Sequence, residues 1–193
     1  MRDRNSGTRG RVGQPTLAGA RSPFVRGSSS IDLAIPELDE HGLLPAGSHV
    51  ASLTEFRAAF VTHTRFSTSL DEREHLFSQL RKHRMALSTV VSIREHWIGG
   101  SMTADRFAAP HDCDVLYKLN RDDVEALGAG AKALVEYLLD ERAAYSFFQL
   151  HPFVELLPKA TSASGIIAGD LEVLFSQTKD GRPCGKVVVN DDE

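Results

Sequence analysis

HWIGGSMTADRFAAPHDCDVLYKL, residues 96–119, is the stretch whose reading decides the fold. It begins at the end of a β-branched, aromatic run (88–98, STVVSIREHWI) that has strand composition. Gly99 and Gly100 stop that run, and Ser101 follows. After a loop to His111, DCDVLYKL (112–119) reads as a second strand. Glycine at 99 and 100 lets backbone approach an anionic group with no Cβ in the way. The N–H groups that follow such a turn make an anion-binding concavity, to which Ser101 adds a hydroxyl. Asp112 and Asp114 stand at i and i+2 and project from one face of a strand. Side by side, two carboxylates repel and raise one another's proton affinity, a conflict that a divalent cation removes. Hard oxygen ligands with open coordination positions suit Mg²⁺ (or Mn²⁺) shared with substrate phosphates. A phosphate cradle beside a carboxylate pair is what metal-assisted phosphoryl or nucleotidyl transfer needs.

Outward from this stretch, the composition is that of a globular protein. The chain has 193 residues, 41% hydrophobic and 25% charged, with a formal net charge of −4. No run of about 18 apolar residues exists, so a membrane-spanning helix is excluded and no membrane partner is expected. The basic start lacks the apolar core of a secretory signal, since Leu17 to Ala20 is short and holds Gly19. Two cysteines, Cys113 and Cys184, cannot build a disulfide framework, and the expected compartment is the cytoplasm. Residues 1–30 carry six arginines against Asp3, a local balance of +5 that leaves −9 for the rest. With five glycines and a Gly27-Ser-Ser-Ser30 run, this segment is expected to be a disordered basic arm ahead of a folded domain at 31–193. The plain reading is a solvated tail; an RNA-binding arm and an organellar leader are the alternatives.

Helix signals surround the strands. Ser52-Leu-Thr-Glu55 is a capping box opening a short helix with Phe56, Ala59 and Phe60 on one side. Ser69-Leu-Asp-Glu72 repeats the pattern ahead of a helix to about Met85. There Leu70, Phe77 and Leu80 form the apolar stripe, and Glu72, Arg73, Arg81 and Lys82 face water. Asn120 caps a helix through Leu138 that Gly128 and Gly130 bend or break. Phe147 to Leu157 reads as a third strand interrupted by Pro152, and residues 170–175 as a short amphipathic piece. A turn at 179–183 precedes a last strand, Lys186 to Val189. The alternation gives an α/β (α+β) class: a small mixed sheet flanked by helices.

The Ile98-Gly-Gly-Ser101 turn, the ten-residue gap and Asp112-Cys-Asp114-Val115 resemble the DNA polymerase β-like nucleotidyltransferase superfamily. Closer still is the resemblance to a group of short bacterial proteins of that superfamily. It rests on Leu44-Pro-Ala-Gly-Ser-His49, Trp97-Ile-Gly-Gly-Ser101 and Asp180-Gly-Arg-Pro-Cys-Gly185, and covers roughly residues 40–190. The resemblance implies a palm-like nucleotidyltransferase fold that moves a nucleoside monophosphate from a nucleoside triphosphate onto a hydroxyl. The acceptor would be RNA such as tRNA, a protein or a small molecule, and the setting a toxin–antitoxin or phage-defence locus. It further implies Asp112 and Asp114 as catalytic metal ligands, and a third carboxylate on a neighbouring strand, for which Glu155 is the first candidate and Asp170 or Glu172 the others. Gly99, Gly100, Ser101 and Lys118 would bind nucleotide. The competing expectation is a catalytically silent relative that works as a binding partner, such as an antitoxin. Each residue also has a plain reading. Glu155 could face solvent on an edge strand, Lys118 and Lys186 could be solvated strand-end lysines, and His111 an ordinary loop residue. Trp97 is expected to pack in the core rather than stack on a base, and Cys113 to point into the core opposite the acids.

Overall fold

A computed structural model describes residues 35–105, 109–157 and 169–190. The basic arm expected at 1–30 lies outside them, as does the stretch 158–168. The fold described is that of the unit Asp32–Glu193.

The chain forms a mixed α+β domain. Strand β1 (Gly47–Val50) is followed by α1 (Leu53–Phe60), a 3-10 segment (Thr64–Ser69) and α2 (Leu70–Ser88). Then come β2 (Ile93–Gly99), a 3-10 turn (Gly100–Thr103) and β3 (Cys113–Asn120). Three helices, α3 (Arg121–Ala126), α4 (Ala129–Leu139) and α5 (Glu141–Phe148), lead to β4 (Leu150–Leu157). Helix α6 (Gly169–Ser176) and β5 (Gly185–Asn190) complete the described chain. The five strands lie in the order β1-β5-β2-β3-β4. β1 runs parallel to β5 and β3 to β4, while β2 is antiparallel to both of its neighbours.

Local chemistry accounts for most of these boundaries. The Ser52 hydroxyl accepts from Glu55 N at 3.1 Å, and the Glu55 carboxylate accepts from Ser52 N at 2.8 Å, so the capping box that opens α1 is complete. The second Ser-x-x-Glu is not one. Ser69 stands at the N-cap of α2, but its hydroxyl donates to Phe66 O and accepts from Arg73 Nε. Arg73, expected to face water, is 1% exposed. Its guanidinium donates to the carbonyls of Phe60, Met102 and Ala104 at 2.8–2.9 Å and lies over the Phe66 ring. Leu70, expected on the apolar stripe, is instead 38% exposed. Helix α2 runs to Ser88, so β2 starts at Ile93 rather than at 88.

The long helix expected from Asn120 breaks where Leu127 and Gly128 are extended, giving α3 and α4. Helix α5 occupies what reads as the start of a strand. Asp140 caps it through Ala143 N, and Gln149, at φ +53°, ends it and turns the chain directly into β4. Pro152 lies within β4, an edge strand, where its missing N–H is tolerated. The two outlying motifs meet: Gly47 is in register with Gly185, and Gly185 N donates to Leu44 O at 2.7 Å. A Cβ at Gly185 would sit 2.2 Å from Pro45 O, so this close crossing requires glycine.

The sheet has two unlike faces. Cys113, Val115, Tyr117 and Leu119 of β3 join Ile98, Val187 and Val189 in the main core beneath the helices. On the other face, Trp97, Leu116 and Val188 make a smaller cluster with Phe175 of α6. Trp97 thus packs in a core, as its composition suggests, and Cys113 is fully buried.

Candidate functional site

Strand alternation sends 114, 116 and 118 to the smaller face, the face also occupied by Trp97 and Gly99 of β2. Asp112, expected to open the strand, stands one residue before β3 and lies beside Asp114. Gly99 is in register with Asp114, which fixes the turn beside the acid. Gly100 then takes φ +64°, and a Cβ there would lie 1.9 Å from Asp114 Oδ2. Only glycine meets both demands. A Cβ on Gly99 would meet the Phe175 ring at 2.8 Å, so α6 packs directly on the turn. The Ser101 hydroxyl donates to the Asp112 carbonyl at 3.2 Å, tying the turn to the start of β3. Ser101 is inside the 3-10 turn and is not its N-cap, which is Gly99. Gly99, Gly100, Ser101, Asp112 and Asp114 are therefore brought together.

A sixth residue joins them from β4. His151 is in register with Asp114, and its Nδ1 lies 3.7 Å from Asp114 Oδ1 and 3.9 Å from Asp112 Oδ2. The Tyr145 ring of α5 stands 5.2 Å from the imidazole. Burial pushes the Asp114 carboxyl above the usual carboxylate value of 3.8, and the charge of Asp112 adds to this. The charges of His151 and of Lys179, in the turn before β5, act in the opposite sense. Burial also raises the Cys113 thiol well above its ordinary value, with Asp114 and Asp112 contributing.

Two expected residues lie elsewhere. Glu155 is in register with Lys118, four residues along β4 from His151, a separation of about 13 Å along the strand. Lys118 Nζ lies 3.0 Å from Glu95, 3.7 Å from Glu155 and 3.9 Å from the centre of the Trp97 ring. Lys186, read as a strand-end lysine, is instead 1% exposed, lies over the same indole and bonds Glu172. Glu172 is thereby engaged, and the side chain of Asp170 lies outside the described residues. His111 is exposed in its loop. Among the described residues no set of three His, Cys, Asp or Glu side chains forms a ready-made metal cage. Nor is any described helix long and apolar enough to cross a membrane.

Residues 36–190 match the model of a family of unknown function, DUF6932. The chain belongs to this family. The match runs from the entry segment to the end of β5, so the DUF6932 domain contains the whole sheet, the glycine turn and both acids. No curated protein and no solved structure matches the chain. Within the DUF6932 domain, His151 and Lys179 are the site residues that sequence reasoning missed. Lys179 lies in the Asp-Gly-Arg-Pro turn region already singled out. His151 carried no local signal, because its place follows from the parallel register of β3 and β4.

Proposed function

We propose that this chain is a nucleotidyltransferase of the DNA polymerase β-like type. It holds a nucleoside triphosphate with Mg²⁺ or Mn²⁺ and transfers a nucleoside monophosphate to a hydroxyl of RNA such as tRNA, a protein or a small molecule. The observation that carries this reading is the seating of Asp114 on Gly100, with Asp112 alongside. The donor set suits the metal. Mg²⁺ is commonly held by one or two carboxylates together with substrate phosphates, so a pair without a third protein ligand is a workable half-site. When bound, the ion supplies charge neutralisation at the triphosphate.

The chain's own groups do the rest. Asp112 and Asp114 hold the metal side of the substrate, and the backbone N–H groups at Gly100 and Ser101 hold the β- and γ-phosphates. Lys179 offsets their charge in the role first expected of Lys118, which Glu95 and Glu155 neutralise. The acceptor oxygen bonds to the α-phosphorus, the bond from that phosphorus to the pyrophosphate oxygen breaks, pyrophosphate leaves, and the acceptor's proton passes to solvent water. Operation in the cytoplasm, within a toxin–antitoxin or phage-defence locus, is the setting that the resemblance favours.

A silent, nucleotide-binding relative acting as a regulatory partner such as an antitoxin is the second reading. The observation favouring it is that His151, not a carboxylate, faces Asp114, while Glu155 is held by Lys118. One experiment separates the two. Purified chain is given α-labelled nucleoside triphosphates, Mg²⁺ and total tRNA or protein. Label transfer that Asp114→Ala abolishes supports the enzyme. Nucleotide binding lost in Asp114→Ala, with no transfer to either acceptor, supports the silent partner. Unchanged nucleotide binding in Asp114→Ala overturns both.

A further inference from the structure

On the opposite side of the sheet from the acids, the first turns of α1 and the second half of α2 enclose an open groove of about 460 Å³. That volume is within the range of small-molecule sites. Arg57 of α1 and Arg81 and Arg84 of α2 line it, with the Thr54 hydroxyl beside them. Its apolar wall is Phe77, 5% exposed, and Val189, both members of the main core. Phe77, Arg81 and Arg84 fall at i, i+4 and i+7 on α2, so one helical stripe presents an aromatic base and two cations to the same space. Val189 belongs to the core under the helices whereas Val188 belongs to the cluster under α6, so the groove and the acid pair are on different faces.

We propose that this groove binds a phosphate ester of mononucleotide size, independently of the carboxylate site. Guanidinium groups match phosphate in a planar, bidentate geometry, and three arginine side chains line one concavity from two helices. Arg57 is partly engaged by Glu74, which fixes it at the rim, and Arg81 forms no ion pair among the described residues. Outside the arm the chain carries −9, so a pocket lined by arginines runs against its overall charge and marks a local preference for anions. The Phe77–Val189 wall takes the apolar, ring-bearing part of the ligand, and the arginines take the phosphate. A ligand held here contacts both α1 and α2, two of the helices packed on the sheet, which makes it an effector of the fold rather than a reactant at the acids.

The test uses the full chain carrying Asp112→Asn and Asp114→Asn, in EDTA, so that metal-dependent nucleotide binding at the acids is silent. ADP and inorganic pyrophosphate are titrated calorimetrically at low salt. The expected result is one site for ADP, tighter than for pyrophosphate, and weakened at least tenfold by adding Arg81→Glu. Arg81 is exposed, so this change leaves the far-ultraviolet circular dichroism unaltered. Absence of ADP binding, or affinity indifferent to Arg81→Glu, overturns the proposal. Arg81-dependent binding of a poly(U) strand without ADP binding also overturns it, in favour of an RNA-backbone surface. Mg²⁺–ATP binding by the Arg81→Glu single variant is measured separately, so failure here is distinguishable from failure of the nucleotidyltransferase reading.

Discussion

The two faces of the sheet solve opposite problems with alternate residues of the same strands. Beneath the helices, two buried polar side chains help to close the core, although His96 buries both ring nitrogens with no hydrogen-bond partner among the described residues. His83 bridges the Tyr117 hydroxyl at 2.8 Å and the Leu138 carbonyl at 2.7 Å, and Arg73 gathers three carbonyls. On the acid face a single described helix, α6, covers a few apolar side chains, and charges crowd around them: Lys118 with Glu95 and Glu155, Lys186 with Glu172, His151 with the two aspartates. The first face stabilises the domain. The second holds, among its opposite-charge pairs, two aspartates that repel one another, an arrangement that costs stability and is characteristic of sites. A one-residue slip of β3 would exchange Asp114 for Cys113 and destroy both faces together.

Four substitutions probe this contrast, in descending order of expected effect. Arg73→Met leaves three buried carbonyls without their donor and should lower unfolding free energy by about 4 kcal/mol, read from the urea midpoint. A loss below about 1 kcal/mol would show that Arg73 does not hold the helical face. Gly100→Ala puts a methyl group against Asp114 at a left-handed backbone position and should cost about 2 kcal/mol. It should also abolish any nucleotide binding, measured calorimetrically. Equal stability would mean that Asp114 is free to move off the turn.

Asp114→Asn should have the opposite sign. The folded chain holds the Asp114 proton more tightly than the unfolded chain, so ionisation disfavours folding. That penalty appears as pH rises past 3.8 and is complete above the raised native value. The variant should therefore melt at a higher temperature than the parent at pH 7, and the gain should vanish below pH 3.8. A gain that persists in acid would break the assignment. Smallest is Glu155→Gln, a part-exposed partner of Lys118, with an expected change within about 0.5 kcal/mol. If it nevertheless removed label transfer, Glu155 would belong to the site despite its place along β4.

What the sequence made legible were features set by neighbours along the chain. The glycine turn, the Asp-x-Asp strand, the Ser52 capping box and the inward Cys113 all follow from spacing, and with them the α+β class. The rest depends on partners remote in sequence. Arg73 sits on a helix where a charged residue reads as solvent-facing, and its burial is intelligible only once Phe60, Met102 and Ala104 supply carbonyls. Lys186 is buried because α6 brings Glu172 over it. His151, of which nothing was expected, stands beside the acids and Glu155 beside Lys118, because β4 pairs with β3 in a register that no local pattern records. The α5–β4 boundary was hidden for another reason: Gln149 adopts a left-handed conformation normally signalled by glycine or asparagine, so the helix stop carried no marker.

Cys113 gives the two acids an unplanned witness. Its sulfur lies between them in sequence, sealed on the far side of β3 and held as the thiol, whereas Cys184 is half-buried. An alkylating reagent reaches Cys113 only when β3 parts from its neighbours. The slow labelling of one cysteine against the faster labelling of the other thus times how often the strand bearing the acids comes loose.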